Sequence, residues 1–83
     1  MFLKVSSRTE PKKLAGAIYH ALKENDGKVQ LQAIGAGAVN QAVKGVAIAR
    51  GLAAPEGAEL KIVPSFTDAE DNGTAINLNV YWR

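Results

Sequence analysis

Alternating apolar and polar residues mark four segments of the chain as β-strands. The clearest is Thr74–Trp82, in which one side of the strand is apolar and the other polar. The apolar side consists of Ile76, Leu78, Val80 and Trp82, and the polar side of Asn77, Asn79 and Tyr81. Three further strands are predicted at Phe2–Ser6, Lys28–Ile34 and Glu59–Phe66. Pro64 cannot donate a ladder hydrogen bond, so we expect the third strand at a sheet edge or with a bulge.

Apolar residues that recur at helical spacing predict two helices between these strands. The first covers about Pro11–Glu24, where proline suits the first turn. Its apolar positions are Leu14, Ala17, Ile18, Ala21 and Leu22. The second covers about Val39–Arg50, between a tight turn at Gly35–Ala38 and a stop at Gly51. Its expected core stripe is Val39, Ala42, Val43, Val46, Ala47 and Ala49.

The predicted element order is β-α-β-α-β-β, which we interpret as one α/β domain over residues 1–83. Two helices suffice to cover one face of a four-stranded sheet, so we expect an α+β two-layer sandwich with a mixed sheet. Right-handed crossovers place both helices on the same face, with Trp82 packed beneath them. The opposite face is expected to be polar and uncharged, with Gln30, Gln32, Asn77 and Asn79.

The second helix is apolar around most of its circumference. Gly45, Ile48 and Leu52 extend the small and apolar surface well beyond the core stripe. A helix of this kind is usually buried on more than one side. We therefore predict a homodimer or tetramer, and the residues predicted at its interface are Gly45, Ile48, Ala49 and Leu52. The alternative is a core helix that the hairpin of the same chain covers.

Composition limits the classes of protein that the chain can belong to. It has 83 residues, 47% of them hydrophobic, and no cysteine, which excludes disulfides and thiolate metal sites. It shows neither a signal peptide nor an apolar run long enough to span a membrane, so we expect a cytoplasmic protein without a membrane partner. Residues 1–55 hold eight basic and three acidic side chains, whereas residues 56–83 hold two and five. This asymmetry indicates either a negatively charged partner or scattered solvated charges.

A long run of small and apolar residues, QAIGAGAVNQAVKGVAIARG, occupies positions 32–51. Together with LKVS at positions 3–6 and PSFTD at positions 64–68, it closely resembles the stage V sporulation protein S family. That family is in turn similar to Alba, a small dimeric β-α-β-α-β-β protein of chromatin and RNA. Alba-like chains carry a basic pair at the start of the first helix, which Lys12 and Lys13 match here. The resemblance implies a regulator of sporulation or development that binds DNA or RNA weakly.

If the first two strands are parallel neighbours, the N-termini of both helices meet at one edge of the sheet. Backbone N–H groups around Gly35 and Gly37 can hold a phosphate there, although the glycines can also serve the turn alone. Basic side chains nearby would add unspecific attraction, unless they are ordinary solvated lysines. The predicted nucleic-acid-binding residues are Arg8, Lys12, Lys13, Gly35, Ala36, Gly37, Asn40 and Lys44.

Catalytic and metal-binding chemistry is not expected. His20, the one histidine, has no second ligand at metal spacing and falls on the polar side of the first helix. The predicted hairpin loop Thr67–Gly73, with its Asn72-Gly73 turn signal, lacks the ligand spacing of a calcium loop. Its acidic residues are Asp68, Glu70 and Asp71. We therefore expect a protein that is not an enzyme and uses no cofactor, metal or small-molecule substrate.

Two functions remain open at this point. The first is a weak nucleic-acid-binding regulator, and the second is a protein-interaction module with the same fold and no nucleic-acid binding. The chain has other residues where Alba-like chains are basic, and these are Gln32, Gly37 and Gln41. Charge separates the two hypotheses, because duplex binding requires several well-placed cations.

Overall fold

A computed structural model describes residues 2–69 and 73–83. The described residues follow the predicted β-α-β-α-β-β order. The elements are β1 (Phe2–Val5), α1 (Pro11–Glu24), β2 (Lys28–Ala33), α2 (Ala36–Ala53), a 3-10 turn (Ala54–Glu56), β3 (Leu60–Ala69) and β4 (Gly73–Trp82). Neither helix combines the length and the hydrophobicity that a membrane crossing requires within the part of the chain so described.

The four strands form a mixed sheet with the order β1-β2-β4-β3. β1 and β2 are parallel, and the other two pairs are antiparallel. The predicted two-layer fold and the parallel pairing of the first two strands are confirmed. β3 lies at the edge, as the proline in its sequence predicts, with Pro64 opposite Leu78.

Helix α1 has the bounds that its sequence predicts, whereas α2 is longer at both ends. α2 begins at Ala36, directly after Gly35, whose φ of 90° is accessible to glycine and strained for other residues. It passes through the predicted stop at Gly51 and ends at Ala53, which is fully buried. Burial of that last turn outweighs the weak helix propensity of one glycine. The chain then turns at Gly57, with φ 80°.

The core lies between the sheet and the two helices. Its largest fully buried side chains are Ile18, Leu22, Leu31 and Val80. On β4, Leu78 and Val80 are buried as predicted, while Ile76 and Trp82 are only partly buried at the margins. Trp82 packs against Tyr19 of α1, with 6.0 Å between ring centroids.

The predicted core stripe of α2 is partly wrong. Ala42, Val46 and Ala49 are buried, but Val43 and Ala47 are exposed. The glycine between them, Gly45, is buried instead. The stripe is narrower than the sequence indicates because small residues cover most sides of this helix, so hydrophobicity alone does not show which side faces the core.

Both strands of the hairpin are longer than predicted. β3 continues past Phe66 to Ala69, paired with the first residues of β4 up to the Ala69–Gly73 pair. An antiparallel partner satisfies the backbone groups of this extension, so it forms despite its polar sequence. The loop residues Glu70, Asp71 and Asn72 lie outside the described residues.

The face of the sheet that the helices leave uncovered carries the four predicted amides, Gln30, Gln32, Asn77 and Asn79. It also carries exposed lysines at three strand positions, Lys4, Lys28 and Lys61. The prediction of an uncharged face is therefore wrong. The sequence reasoning considered the two central strands, whereas two of these lysines belong to the edge strands β1 and β3.

Candidate nucleic-acid interface

The N-termini of α1 and α2 lie at the same edge of the sheet. Each helix follows the carboxyl end of a strand, and β1 and β2 are parallel neighbours in register from Phe2↔Gln30 to Val5↔Ala33. The predicted convergence of the β1–α1 loop with the glycine turn therefore follows from the topology, and side-chain contacts described below support it.

The β1–α1 loop, residues 6–10, is held by its own hydroxyl groups. The backbone N–H of Ser6 donates to Thr9 Oγ1 at 2.9 Å, and Thr9 N–H donates to the Ser6 carbonyl at 3.1 Å. The N–H of Arg8 donates to Ser6 Oγ at 3.2 Å. Hydroxyl side chains that bond to nearby backbone groups are typical of such turns. The loop thus presents exposed Arg8 from a defined backbone rather than from an open linker.

Two contacts hold the β1–α1 loop against the first turns of α2. The side-chain amide of Gln41 donates from Nε2 to the Thr9 carbonyl at 2.9 Å. A Cβ placed on Gly37 would lie 2.9 Å from Ser7 Cβ, a separation that real side chains do not adopt. Gln41 is a positioning residue that sequence reasoning missed, since it was noted only as a departure from the Alba pattern. Its partner is 32 positions away, and no local pattern indicates the contact.

The structure of the chain itself explains why both positions of the turn are glycine. Gly35 is required by its positive φ, and Gly37 by the closeness of Ser7. Glycine at these positions is therefore no independent sign of a phosphate. The turn nevertheless leaves Gly35, Ala36 and Gly37 exposed. The N-cap residue of α2 is Gly35, and no side chain of the described residues caps the helix there. The first N–H groups of α2 thus belong to exposed residues, without a side-chain cap, at the positive end of the helix dipole.

The predicted cations differ in their surroundings. Lys13 Nζ lies 3.1 Å from Glu10 Oε2, and both side chains are largely exposed, so this pair contributes little stability and offsets part of the lysine charge. Lys12 and Lys44 line one groove of ≈ 500 Å³ between the start of α1 and the outer side of α2. Ala47 and Ile48 line the same groove, together with Glu10 and Pro11.

Asn40 lies on the other side of α2. With Gly35 and Ala36 it lines a second groove, of ≈ 610 Å³, that separates α2 from the hairpin. The rest of this groove is apolar, with Val39, Val43, Phe66, Ala75 and Ile76. The structure thus divides the predicted residues: Lys12 and Lys44 share one groove, and Gly35, Ala36 and Asn40 share another.

The residues predicted for a dimer interface fall into a buried group and an exposed group. Gly45 and Ala49 are buried within the chain and so present no free surface. A Cβ on Gly45 would lie 2.7 Å from Leu14 Cδ2, so the close approach that glycine permits is made by α1 of the same chain. Ile48 and Leu52 are exposed, at 38% and 45%, and remain available to a second copy.

Elsewhere Glu56 and His20 make contacts within the chain. Glu56 accepts hydrogen bonds from the Tyr19 hydroxyl and from Lys23 Nζ, the latter at 2.7 Å, and so ties the 3-10 turn to α1. His20 is exposed and packs edge-on against Tyr19, with 5.6 Å between ring centroids. Within residues 2–69 and 73–83, His, Cys, Asp and Glu side chains form no group of three that could hold a metal ion.

Comparison with known proteins agrees with this architecture. The family model described as Stage V sporulation protein S (SpoVS) matches residues 1–83, the whole chain. Among solved structures, Alba from Thermoplasma volcanium is similar with a TM-score of 0.62 at 17% identity. The alignment covers 98% of this chain and 99% of that one. At this identity the likeness establishes a shared fold.

Proposed function

This chain belongs to the stage V sporulation protein S family, and we propose that it is a developmental regulator that binds nucleic acid weakly. In this proposal it acts in the cytoplasm as a homodimer or tetramer, without catalysis. The target is the phosphate backbone of DNA or RNA, held at the edge of the sheet where α1 and α2 begin.

One observation carries the proposal: the β1–α1 loop and the start of α2 are joined into one surface. The bond from Gln41 to the Thr9 carbonyl and the packing of Ser7 on Gly37 hold the loop that carries Arg8 against the first turns of α2. A helix N-terminus with unsatisfied N–H groups attracts anions, and a neighbouring cation reinforces it. Phosphate is the anion that matches several such donors at once.

The number of available cations explains why the binding is expected to be weak. Lys12 and Lys44 flank one groove, but the charge of Lys13 is partly matched by Glu10. Affinity for nucleic acid scales with the number of phosphates that are neutralised, so three or four contacts per chain support only modest, salt-sensitive binding. Such contacts carry no sequence information.

A second copy of the chain would raise this affinity by doubling the contacts. Exposed apolar side chains of α2 offer surface for it: Ile48 in the groove beside α1, Val43 in the groove beside the hairpin, and Leu52, each more than one-third exposed. Phe66, at 77% exposure, extends this surface across the groove to the hairpin. A large exposed apolar area of this kind is typical of an interaction site.

Fluorescence anisotropy with labelled duplexes of DNA and RNA, recorded over a salt series, tests the proposal. For three or four phosphate contacts, log K against log salt should fall with a slope of roughly −2 to −4. Absence of duplex binding at about 50 mM salt contradicts the proposal. The protein-interaction module then becomes the better explanation, because the apolar surface of α2 and Phe66 would remain without a nucleic-acid role.

A further inference from the structure

The uncovered face of the sheet is a second surface, separate from the edge where the helices begin. The cross-strand register arranges its side chains in three rows, each running from one edge of the sheet towards the other. The first row is Lys4, Gln32, Asn77 and Ser65; the second is Phe2, Gln30, Asn79 and Val63; the third is Lys28, Tyr81 and Lys61. Successive rows are roughly 7 Å apart along the strands.

The charge in these three rows has one sign. Lys4, Lys28 and Lys61 are exposed, and none of the positions in the three rows is acidic. Beyond the third row, Glu59 lies two residues from Lys61 on the same face, and its backbone pairs with that of Arg83. Among the described residues none of these three lysines forms a salt bridge, which favours an anionic occupant. A protein partner fits less well, because lysine is depleted at the centres of protein interfaces.

The other side chains on the face fit unpaired bases. Tyr81 is half-buried with a lysine on each side, and Phe2 is 43% exposed. Aromatic rings on a flat sheet provide stacking platforms for bases, and flanking cations can hold the phosphates on either side. Between the two rings lie Gln30 and Asn79, whose amides both donate and accept hydrogen bonds.

A duplex would use little of this chemistry. Its bases are stacked inside and reached only through grooves, which are too narrow for the face of a four-stranded sheet, so the rings and amides would be left without partners. We propose that the open face of the sheet, centred on Tyr81 between Lys28 and Lys61, binds single-stranded nucleic acid by base stacking and phosphate contact. This site is independent of the proposed duplex-binding edge.

The test uses the full chain and labelled single strands of about 15 nucleotides, of both DNA and RNA, followed by anisotropy. Lys28→Gln with Lys61→Gln should make the salt slope for single strands shallower by about 1.4, the share of two phosphate contacts. Tyr81→Leu should weaken single-strand binding at least about 5-fold, whereas Tyr81→Phe, which keeps the ring, should bind nearly as the parent does.

The matched control is Lys12→Gln with Lys44→Gln, which removes the same charge from the helix edge. It should leave single-strand binding within about 2-fold of the parent, because its lysines lie on the helix side of the sheet. Amide shifts in NMR spectra of the parent add a readout that does not depend on any variant folding. Single strands should perturb residues 28–32 and 77–81 more than residues 8–13 and 35–41.

The outcomes separate the two sites. Loss of single-strand binding in the Lys12/Lys44 variant but not in the Lys28/Lys61 variant overturns the open-face site and leaves the edge site standing. Loss of single-strand binding only in the Lys28/Lys61 variant supports the site on the open face, whatever the duplex titration shows. If the parent binds no single strand at about 50 mM salt, or if its amide shifts lie only at the helix edge, the inference is wrong.

Discussion

Two glycines of α2, Gly45 and Gly51, have different surroundings, so replacing each by alanine should change stability in opposite directions. Gly45 is buried where α1 crosses, with Leu14 Cδ2 and Cγ within 3 Å of a Cβ placed on it. Gly51 is in the same helix, yet no described atom outside the adjoining helix backbone lies within 4 Å of its Cβ position. Helix propensity favours alanine equally at both sites, so the difference between them comes from tertiary packing.

Gly45→Ala is therefore expected to destabilise the protein by about 1–3 kcal/mol, because overlap with Leu14 exceeds the gain in helix propensity. Gly51→Ala is the matched control, and it should stabilise by about 0.5–1 kcal/mol. Urea unfolding followed by circular dichroism measures both free energies. A stabilising Gly45→Ala would mean that Leu14 moves aside freely and that α1 and α2 are not closely packed at this crossing.

At the scale of elements, the ends of helices and strands depend on what they pack against. α1 ends where its own sequence predicts, whereas α2 passes a predicted stop because its last residue, Ala53, is buried. β4 ends with Trp82, whose backbone N–H donates to the Gly27 carbonyl at 2.9 Å. The indole also lies against Tyr19 and 5.9 Å from Lys23 Nζ. This last residue of β4 therefore joins the strand to α1 and to the turn before β2.

Trp82→Ala should cost about 2–3 kcal/mol, less than truncation of a fully buried tryptophan, because the side chain is only partly buried. Tyr19→Phe keeps the ring contact and removes only the hydroxyl bonded to Glu56, so its cost should be about 0.5–1 kcal/mol. Chemical denaturation gives both values. A cost for Trp82→Ala no larger than that of Tyr19→Phe would place the indole in solvent.

The groove beside α2 receives Lys12 from the first turn of α1 and Lys44 from the middle of α2. Lys12→Gln with Lys44→Gln should make the salt slope for duplex binding shallower by about 1.8 and weaken all sequences alike. Salt-dependent anisotropy measures the slope, and Lys28→Gln with Lys61→Gln is the control with the same change of charge. Equal slopes for the Lys12/Lys44 variant and the parent would show that the duplex binds elsewhere.

At the scale of the whole molecule, the apolar surface is unevenly distributed. α2 covers the sheet with one side, and around the rest of its circumference it exposes Val43, Ile48 and Leu52. Two grooves border this exposed surface, one lined by Lys12 and Lys44 and one that includes Phe66 of the hairpin. An assembly through α2 would bury apolar area and bring the cations of two chains together, so association and nucleic-acid binding should be linked.

Ile48→Lys should weaken self-association at least about 10-fold, because it places a charge in the predicted interface. Sedimentation velocity over a concentration series measures the association constant. Ala17→Lys, on the exposed side of α1, adds the same charge away from α2 and should leave association unchanged. A parent that sediments as a monomer at micromolar concentration contradicts the predicted assembly.

Local patterns predicted most of the architecture, because hydrophobic periodicity reports how each segment faces its nearest neighbours. Alternation identified the strands, helical spacing identified α1, and the turn signals ordered them into a fold that the structure confirms. Pro64 indicated the sheet edge from its missing N–H alone. The family resemblance rested mainly on the run at positions 32–51, because that particular order of residues is typical of the family.

Tertiary structure decided everything that depends on contacts between distant positions. It set Gly45 against Leu14, Gln41 on the Thr9 carbonyl and Ser7 on Gly37. It also placed Lys4, Lys28 and Lys61 on one face, through a register that no single segment contains. A sequence pattern shows that a side chain is suited to burial or to charge. Which atoms surround it depends on how the chain brings remote segments together.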